Sequence, residues 1–267
     1  MKIDPRAIIE EGAVLAENIE IGPYTIIGKN VTVHDYTRIG AGVILEGNVH
    51  IGSKCIIGHH AVIGTPPQDL SYRGEESGVW IGDETVIREF STVHRATGLG
   101  NETRIGKKCF IMSYCHIAHN CWIGDEVTMA NNASLAGYVD IDDWATLSGF
   151  VGVHQFVRIG KLVMVGGLSK VVMDIPPFCL ADGHPTHLFG QNVVGMKRRG
   201  YGKEERDQIK KIYEIIFRRR GNLLELFDII QKNFKGGYVS EIIDFFSKSR
   251  RGVTRLSRDK KRLTDVC

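Results

Sequence analysis

An aliphatic residue returns at every sixth position through the first two-thirds of the chain. The series starts at Ile3 and runs Ile9, Leu15, Ile21, Ile27, Val33, Ile39, Leu45, Ile51, Ile57 and Ile63. It resumes in phase at Ile81, Ile87 and Val93. It resumes again from Ile105 through Ile111, Ile117, Ile123, Met129, Leu135, Ile141, Leu147, Val153, Ile159 and Val165 to Val171. No polar residue holds any of these places, in a chain that is only 43% apolar. A period of six fits neither the 3.6 of a helix nor the alternation of a long strand. It fits a short strand plus a corner, repeated.

The second residue of the hexad is often Gly, as at Gly22, Gly40, Gly82, Gly106 and Gly124, and is expected to relieve the backbone at the corner. The fifth is small or β-branched, as at Ala13, Thr25, Val31, Thr37 and Thr85, and is expected to fit inside a narrow coil. Three hexads make one triangular coil, and coils stack at about 4.8 Å. The expected fold is mainly β, a parallel β-helix of hexapeptide repeats whose inward residues form ladders. It spans residues 1–190, with external loops at 64–80 and 94–104, where the hexads are interrupted. The repeat stops near Pro176 and Pro177, since a Pro pair ends strand pairing. Helical spacing follows. Ile209, Ile212, Tyr213 and Ile216 form one stripe, Leu223, Phe227 and Ile230 a second, and Ile242, Phe245 and Phe246 a third. Residues 191–267 are thus expected to be a small helical domain of about three helices, with a charged tail frayed from Arg250.

The net charge of +3 argues against a nucleic-acid partner. There is no apolar run of about 20 residues to make a transmembrane segment. The hexad phase begins at Ile3, which leaves no room for a signal peptide and points to the cytoplasm. Of six cysteines, Cys55, Cys109, Cys115 and Cys121 fall at inward fifth positions and read as small buried hydrophobes. A metal held by Cys109, Cys115 and Cys121 is the competing reading. Cys179 and Cys267 lie outside the repeat and are expected to be free.

The repeat converts sequence distance into position. His119 is the third residue of its hexad and points outward, and Gly137 stands 18 residues on, directly above it. Tyr138 lies beside that Gly, His154 and Gln155 lie one coil higher, and His116 sits at the corner just before His119. These residues are expected to share one outer patch. A histidine is the natural general base near neutral pH, and a Gly stacked on it offers a backbone N–H to an oxyanion. Three histidines also suit zinc. In solenoids that resemble γ-class carbonic anhydrases, however, two of the ligands stand five apart, and His116 and His119 stand three apart.

Several segments occur in an order that resembles one family. They are Gln68-Asp69-Leu70, His116-Ile117-Ala118-His119, Leu135-Ala136-Gly137, Val153-His154-Gln155-Phe156, Asp174-Ile175-Pro176-Pro177 and Met196-Lys197-Arg198-Arg199-Gly200. Together they resemble the acyl-[acyl-carrier-protein]–UDP-N-acetylglucosamine O-acyltransferases, hexapeptide-repeat enzymes that begin lipid A synthesis. The resemblance covers essentially the whole chain. It implies a left-handed β-helix, a cytoplasmic homotrimer with active sites between subunits, and no resident cofactor, since phosphopantetheine arrives on acyl carrier protein. It implies transfer of a 3-hydroxyacyl chain to the 3-hydroxyl of UDP-N-acetylglucosamine, with His119 as base, Gly137 N–H as oxyanion donor and no acyl-enzyme. Gln68 and Asp69 match groups that contact the sugar nucleotide. His116, Tyr138, His154 and Gln155 match positions near sugar and acyl chain, and Gly167 the place where acyl length is set. Asn192, Arg198 and Arg199 match residues that hold pantetheine and nucleotide phosphates. Three positions depart from the pattern. Asn120 replaces a usual Asp, Tyr138 a frequent His, and Ser71 a Lys found in some members. N-acylation of a UDP-3-amino sugar by the same geometry, and a non-catalytic β-helix scaffold, are the alternative readings.

Overall fold

The computed structural model describes residues 1–219 and 221–257; Cys267 lies outside the described residues. Short parallel strands wind three to a coil. On the first face Ile3 pairs with Ile21, Ile21 with Ile39, and Ile39 with Ile57, so an 18-residue step is one coil. Among the described residues the first face begins at Lys2–Ile3 and carries 11 strands, the second begins at Ile8–Ile9 and carries nine, and the third begins at Val14–Leu15 and carries eight. The architecture is a left-handed parallel β-helix with a small helical C-terminal part.

From Ile21 to Val171 every first-position residue is at most 4% exposed. Each such aliphatic side chain contributes about 1.5–3 kcal/mol through burial. Ile3, Ile9 and Leu15 are only partly buried, because no coil lies beneath them. The fifth positions point inward as well, and their polar members are satisfied. The hydroxyls of Thr25, Thr37 and Thr85 donate to the carbonyls of Gly40, Gly52 and Gly106 at 2.7–2.8 Å. The cysteines do the same work with sulfur: Cys55, Cys109, Cys115 and Cys121 donate to Gly82, Gly124, Ala130 and Ala136 carbonyls at 3.1–3.2 Å. Burial pushes the Cys55 and Cys115 thiols up to about 11 and those of Cys109 and Cys121 up to about 12. Cys109, Cys115 and Cys121 each spend their proton on a different carbonyl. Among the described residues no group of three or more His, Cys, Asp or Glu has a metal-holding arrangement.

The corner is not made where the glycines stand. The left-handed backbone falls at the fourth hexad residue, where Tyr24, Lys54, Glu84, Phe90, Asn120 and Tyr138 have φ of 58–60°. The second-position glycines are needed for close stacking instead. A Cβ on Gly82 would lie 2.7 Å from the Gly106 carbonyl carbon and 2.8 Å from Lys107 N.

Both interruptions leave from the same corner, where the second face turns into the third. The strands Gly78–Ile81 and Glu102–Ile105 start earlier than the hexads suggest, so the external loops are 64–77 and 94–101. Gly64 opens the longer loop at φ +87°, and a Cβ there would collide with the Glu46 carbonyl. The two loops brace each other. Arg95 donates to the Gly64 carbonyl at 2.9 Å, and Gly98 N donates to Glu75 at 2.8 Å.

Past the last coil, an antiparallel ribbon of Cys179–Gly183 and Thr186–Gln191 extends the first face. Among the described residues four helices follow rather than about three: α1 (Val193–Arg198), α2 (Lys203–Arg218), α3 (Leu223–Asn233) and α4 (Gly237–Ser247). The unexpected α1 is only six residues long and buries Met196. The helices seat on the last coils. Tyr213 hydroxyl donates to the Pro177 carbonyl at 2.6 Å, Lys161 pairs with Glu241 at 2.8 Å, and the Arg158 guanidinium lies 4.6 Å from the Phe245 ring centre. The expected fraying from Arg250 does not hold up to residue 257. Thr254 N donates to the Asp174 carbonyl and Ser257 N to the Leu188 carbonyl, both at 2.8 Å, which ties this segment to the solenoid.

Candidate active site

His119 and Asn120 form the corner between the second and third faces, on the edge that also sends out both loops. The strand His116–Ile117 lies immediately before them, so His116 stands on the second face and not at a corner. Coil stacking puts Gly137 over His119 as the 18-residue step requires. A Cβ on Gly137 would lie 2.6 Å from both Cε1 and Nε2 of His119, so the imidazole rests on a bare backbone. The Tyr138 ring meets the His119 ring edge-on at 5.3 Å, and Phe156 stacks on Tyr138 at 5.0 Å.

The proton on His119 can be located from its partners. Thr97 N donates to Asn120 Oδ1 at 2.9 Å and Asn120 Nδ2 donates to the Thr97 carbonyl at 3.0 Å, which fixes the amide's orientation. That same Oδ1 lies 2.9 Å from His119 Nδ1. An amide oxygen only accepts, so Nδ1 carries the hydrogen and Nε2 keeps its lone pair, facing Gly137.

The Gly137 N–H makes no hydrogen bond among the described residues. The equivalent third-position N–H of other hexads shows what this donor can reach. Ala41 N donates to His59 at 2.8 Å, Lys107 N to Asp125 at 2.7 Å and Asp125 N to Asp143 at 2.8 Å. Each of these donors reaches the side chain one coil above, so in the same register the Gly137 N–H is open towards Gln155. It stands at the corner whose coil below carries His119, and a free N–H there can serve an oxyanion.

The long loop brings Asp69 to the site. Its Oδ2 lies 4.0 Å from His119 Nδ1 and accepts Thr97 Oγ1 at 3.0 Å, while its Oδ1 accepts Ser71 N and Oγ at 2.9 Å. The Ser71 and Thr97 donors, with His119 nearby, hold this carboxyl below the usual range. Gln68 and Leu70 beside it are exposed.

His94 and Thr97 were missed by the sequence reading. His94 is only 7% exposed, meets His116 edge-on at 5.1 Å, and has no hydrogen-bond partner on Nδ1 among the described residues. Burial, then His116 and His119, lower it to about 4. His116 is lowered as well, by burial and by His119, and its Nδ1 lies 2.7 Å from Thr92 Oγ1. The signal for His94 lay in the interrupted register. Val93 pairs with Ile117, a step of 24 residues, because the second loop adds a hexad's length.

His154 and Gln155 are exposed on the same corner, one coil above Gly137. The other candidates stand elsewhere on the prism. Gly167 is exposed at the corner between the first and second faces, where a Cβ would meet only the Gly149 carbonyl at 3.4 Å and Ser148 at 3.9 Å. Asn192, Arg198 and Arg199 lie at the corner between the third and first faces. Asn192 caps α1, its Oδ1 accepting Gly195 N and its Nδ2 donating to the Leu162 carbonyl, both at 2.9 Å. Arg199 pairs with Glu126 at 2.7 Å and covers Trp144, whereas the Arg198 side chain is exposed and makes no ion pair among the described residues. One chain therefore unites His119, Gly137, Asn120, Asp69, His116 and Tyr138, and leaves Gly167 and the arginines on two other edges.

Comparison with known proteins gives this arrangement a family. Residues 174–254 match the family described as UDP N-acetylglucosamine O-acyltransferase, domain 2, and residues 30–65 and 102–137 match bacterial transferase hexapeptide repeats. The chain is 44% identical over 252 residues to an acyl-[acyl-carrier-protein]–UDP-N-acetylglucosamine O-acyltransferase of Aliarcobacter butzleri, covering 94% of this chain and 97% of that one. Among solved structures, UDP-N-acetylglucosamine acyltransferase from Campylobacter jejuni is 37% identical, with a TM-score of 0.89 and 96% and 100% of the two chains covered. The Francisella novicida enzyme is 35% identical, with a TM-score of 0.91 and 99% of each chain covered. These matches set aside the scaffold and carbonic anhydrase readings. A hexapeptide solenoid, a histidine seated on a bare glycine and near-complete coverage of its relatives agree: the chain belongs to the acyl-[acyl-carrier-protein]–UDP-N-acetylglucosamine O-acyltransferase family and is an acyltransferase.

Proposed function

We propose that this chain transfers a 3-hydroxyacyl group from the phosphopantetheine thioester of acyl carrier protein to the 3-hydroxyl of UDP-N-acetylglucosamine, as the first step of lipid A synthesis in the cytoplasm. His119 Nε2 takes the hydroxyl proton as the sugar oxygen attacks the thioester carbonyl. The tetrahedral oxyanion is held by the Gly137 N–H. Collapse expels the pantetheine thiolate, which takes the proton back from the imidazolium. The observation that carries this reading is the pairing of a lone pair on His119 Nε2 with the unpartnered Gly137 N–H. No cofactor of the protein's own is needed. The sugar nucleotide lies along Gln68, Asp69, His116, Tyr138, His154 and Gln155. Asn192, Arg198 and Arg199 of a neighbouring copy face the phosphates, Arg through its fork of donors. Gly167 leaves room for the acyl tail.

His119→Ala is expected to lower kcat about 10²- to 10⁴-fold while oligomeric state and circular dichroism stay unchanged. Activity within a few-fold of the parent would overturn the assignment. The assay uses 3-hydroxyacyl carrier proteins with UDP-N-acetylglucosamine and its 3-amino analogue, and ester outpacing amide is the expected result.

A further inference from the structure

The geometry points to a divided orienting device behind the base: Asn120 fixes the proton on His119, Asp69 supplies the negative charge, and Thr97 holds both in place. This rests on His119 being the base proposed above. The two tasks are separable. One is to keep hydrogen on Nδ1 so that Nε2 can accept. The other is to stabilise the imidazolium that forms when it does.

Asn120 is built for the first task. It occupies the left-handed corner at φ 58°, a conformation that Asn tolerates. Its own N–H donates to Thr103 Oγ1 at 2.9 Å, and both ends of its amide are held by the Thr97 backbone at 2.9 and 3.0 Å. Its oxygen cannot turn away from Nδ1 without breaking two further bonds. A neutral amide, however, gives the imidazolium no opposite charge.

Asp69 fits the second task. A carboxylate has about four acceptor sites. Three are used, by Ser71 N, Ser71 Oγ and Thr97 Oγ1. Oδ2 faces His119 Nδ1 at 4.0 Å, too far for a hydrogen bond and within the range where an opposite charge favours the protonated ring. Among the described residues Asp69 is the one carboxylate paired with His119, and His94, His116 and Tyr138 are the other titratable side chains shown to face it. Thr97 links the two devices. Its N–H and carbonyl bind Asn120, and its hydroxyl binds Asp69. Asn120 and Asp69 are thus positioning residues acting through His119.

The test relocates the charge. Asp69→Asn is expected to lower kcat about 10- to 100-fold, over and above any rise in KM for the UDP-sugar from the contact proposed above. Adding Asn120→Asp to that variant places a carboxylate against Nδ1 and is expected to restore most of the lost kcat. A rise in KM at constant kcat, or a double variant no better than Asp69→Asn alone, overturns the role of Asp69. The tautomer is read without turnover, from ¹⁵N spectra of histidine-labelled protein, with the His119 signals identified by their loss in His119→Ala. The resting protein is expected to show His119 protonated on Nδ1. Asn120→Gly, which suits the same backbone, is expected to shift it towards the Nε2–H form. An unchanged tautomer overturns the role of Asn120, independently of whether His119→Ala abolishes catalysis.

Discussion

At the scale of the residue, His94 ties the stability of the site to pH. Its ordinary value of 6.5 falls to about 4 in the folded chain, because burial beside two other imidazoles penalises its charge. Between those values the unfolded chain binds more protons than the folded one, so stability falls as pH drops through this window. Above it the ring is neutral in both states and contributes no dependence. The loss amounts to roughly 2 kcal/mol by pH 5. The urea midpoint is therefore expected to drop between pH 7 and pH 5, and His94→Phe, which keeps a ring against His116, is expected to flatten that drop. Parallel curves for the two proteins would refute it. His119 and Gly137 were legible in the sequence because no insertion separates them, so one coil is simply 18 residues. His94 and Thr97 were not, because the loops between Ile63 and Ile81 and between Val93 and Ile105 break that count. The Thr97 contacts with Asn120 and Asp69 join three separate segments, a pattern that periodicity does not encode.

At the scale of the element, the hexad is a packing unit with unequal glycines. Gly82 meets only backbone of the next coil within 3 Å, and backbone there cannot move without breaking the ladder. Gly149 has nothing closer than 3.4 Å. Gly82→Ala is expected to cost about 1–3 kcal/mol and to lower the melting temperature by several degrees. Gly149→Ala is expected to leave it within about a degree, and equal losses in a thermal melt would contradict the stacking argument. The period gave strand, corner and inward positions correctly, yet assigned the turn to the wrong residue. Composition marks where a side chain is forbidden without saying whether φ or a neighbouring coil forbids it. Tyr24, Glu84 and Phe90 accept positive φ because every coil imposes the same corner on its fourth residue.

At the scale of the molecule, the candidate site residues occupy three edges of a prism. The second face also carries an outward apolar column below the histidines, with Ile8 and Ile26 exposed and Ile44 and Val62 half-buried. A self-association that covers this column and brings other edges to the His119 corner accounts for both facts, and a closed ring of three copies does so by symmetry. The protein is therefore expected to sediment as a trimer. Ile26→Glu, four coils below His116, is expected to yield smaller species and at least a ten-fold loss of activity. A variant that remains trimeric and fully active would show that this column is not the interface. No helix among the described residues is long and apolar enough to cross a membrane.

The sequence by itself determined the triangular solenoid, its ladder core and the stacking of Gly137 on His119. A six-residue repeat that keeps its phase across two insertions leaves one way to bury its aliphatic residue in every turn. Only the tertiary structure decided which atoms of the His119 imidazole are free. That outcome depends on two irregular loops returning to one corner, where Thr97, Asn120 and Asp69 meet through hydrogen bonds between segments that share no period.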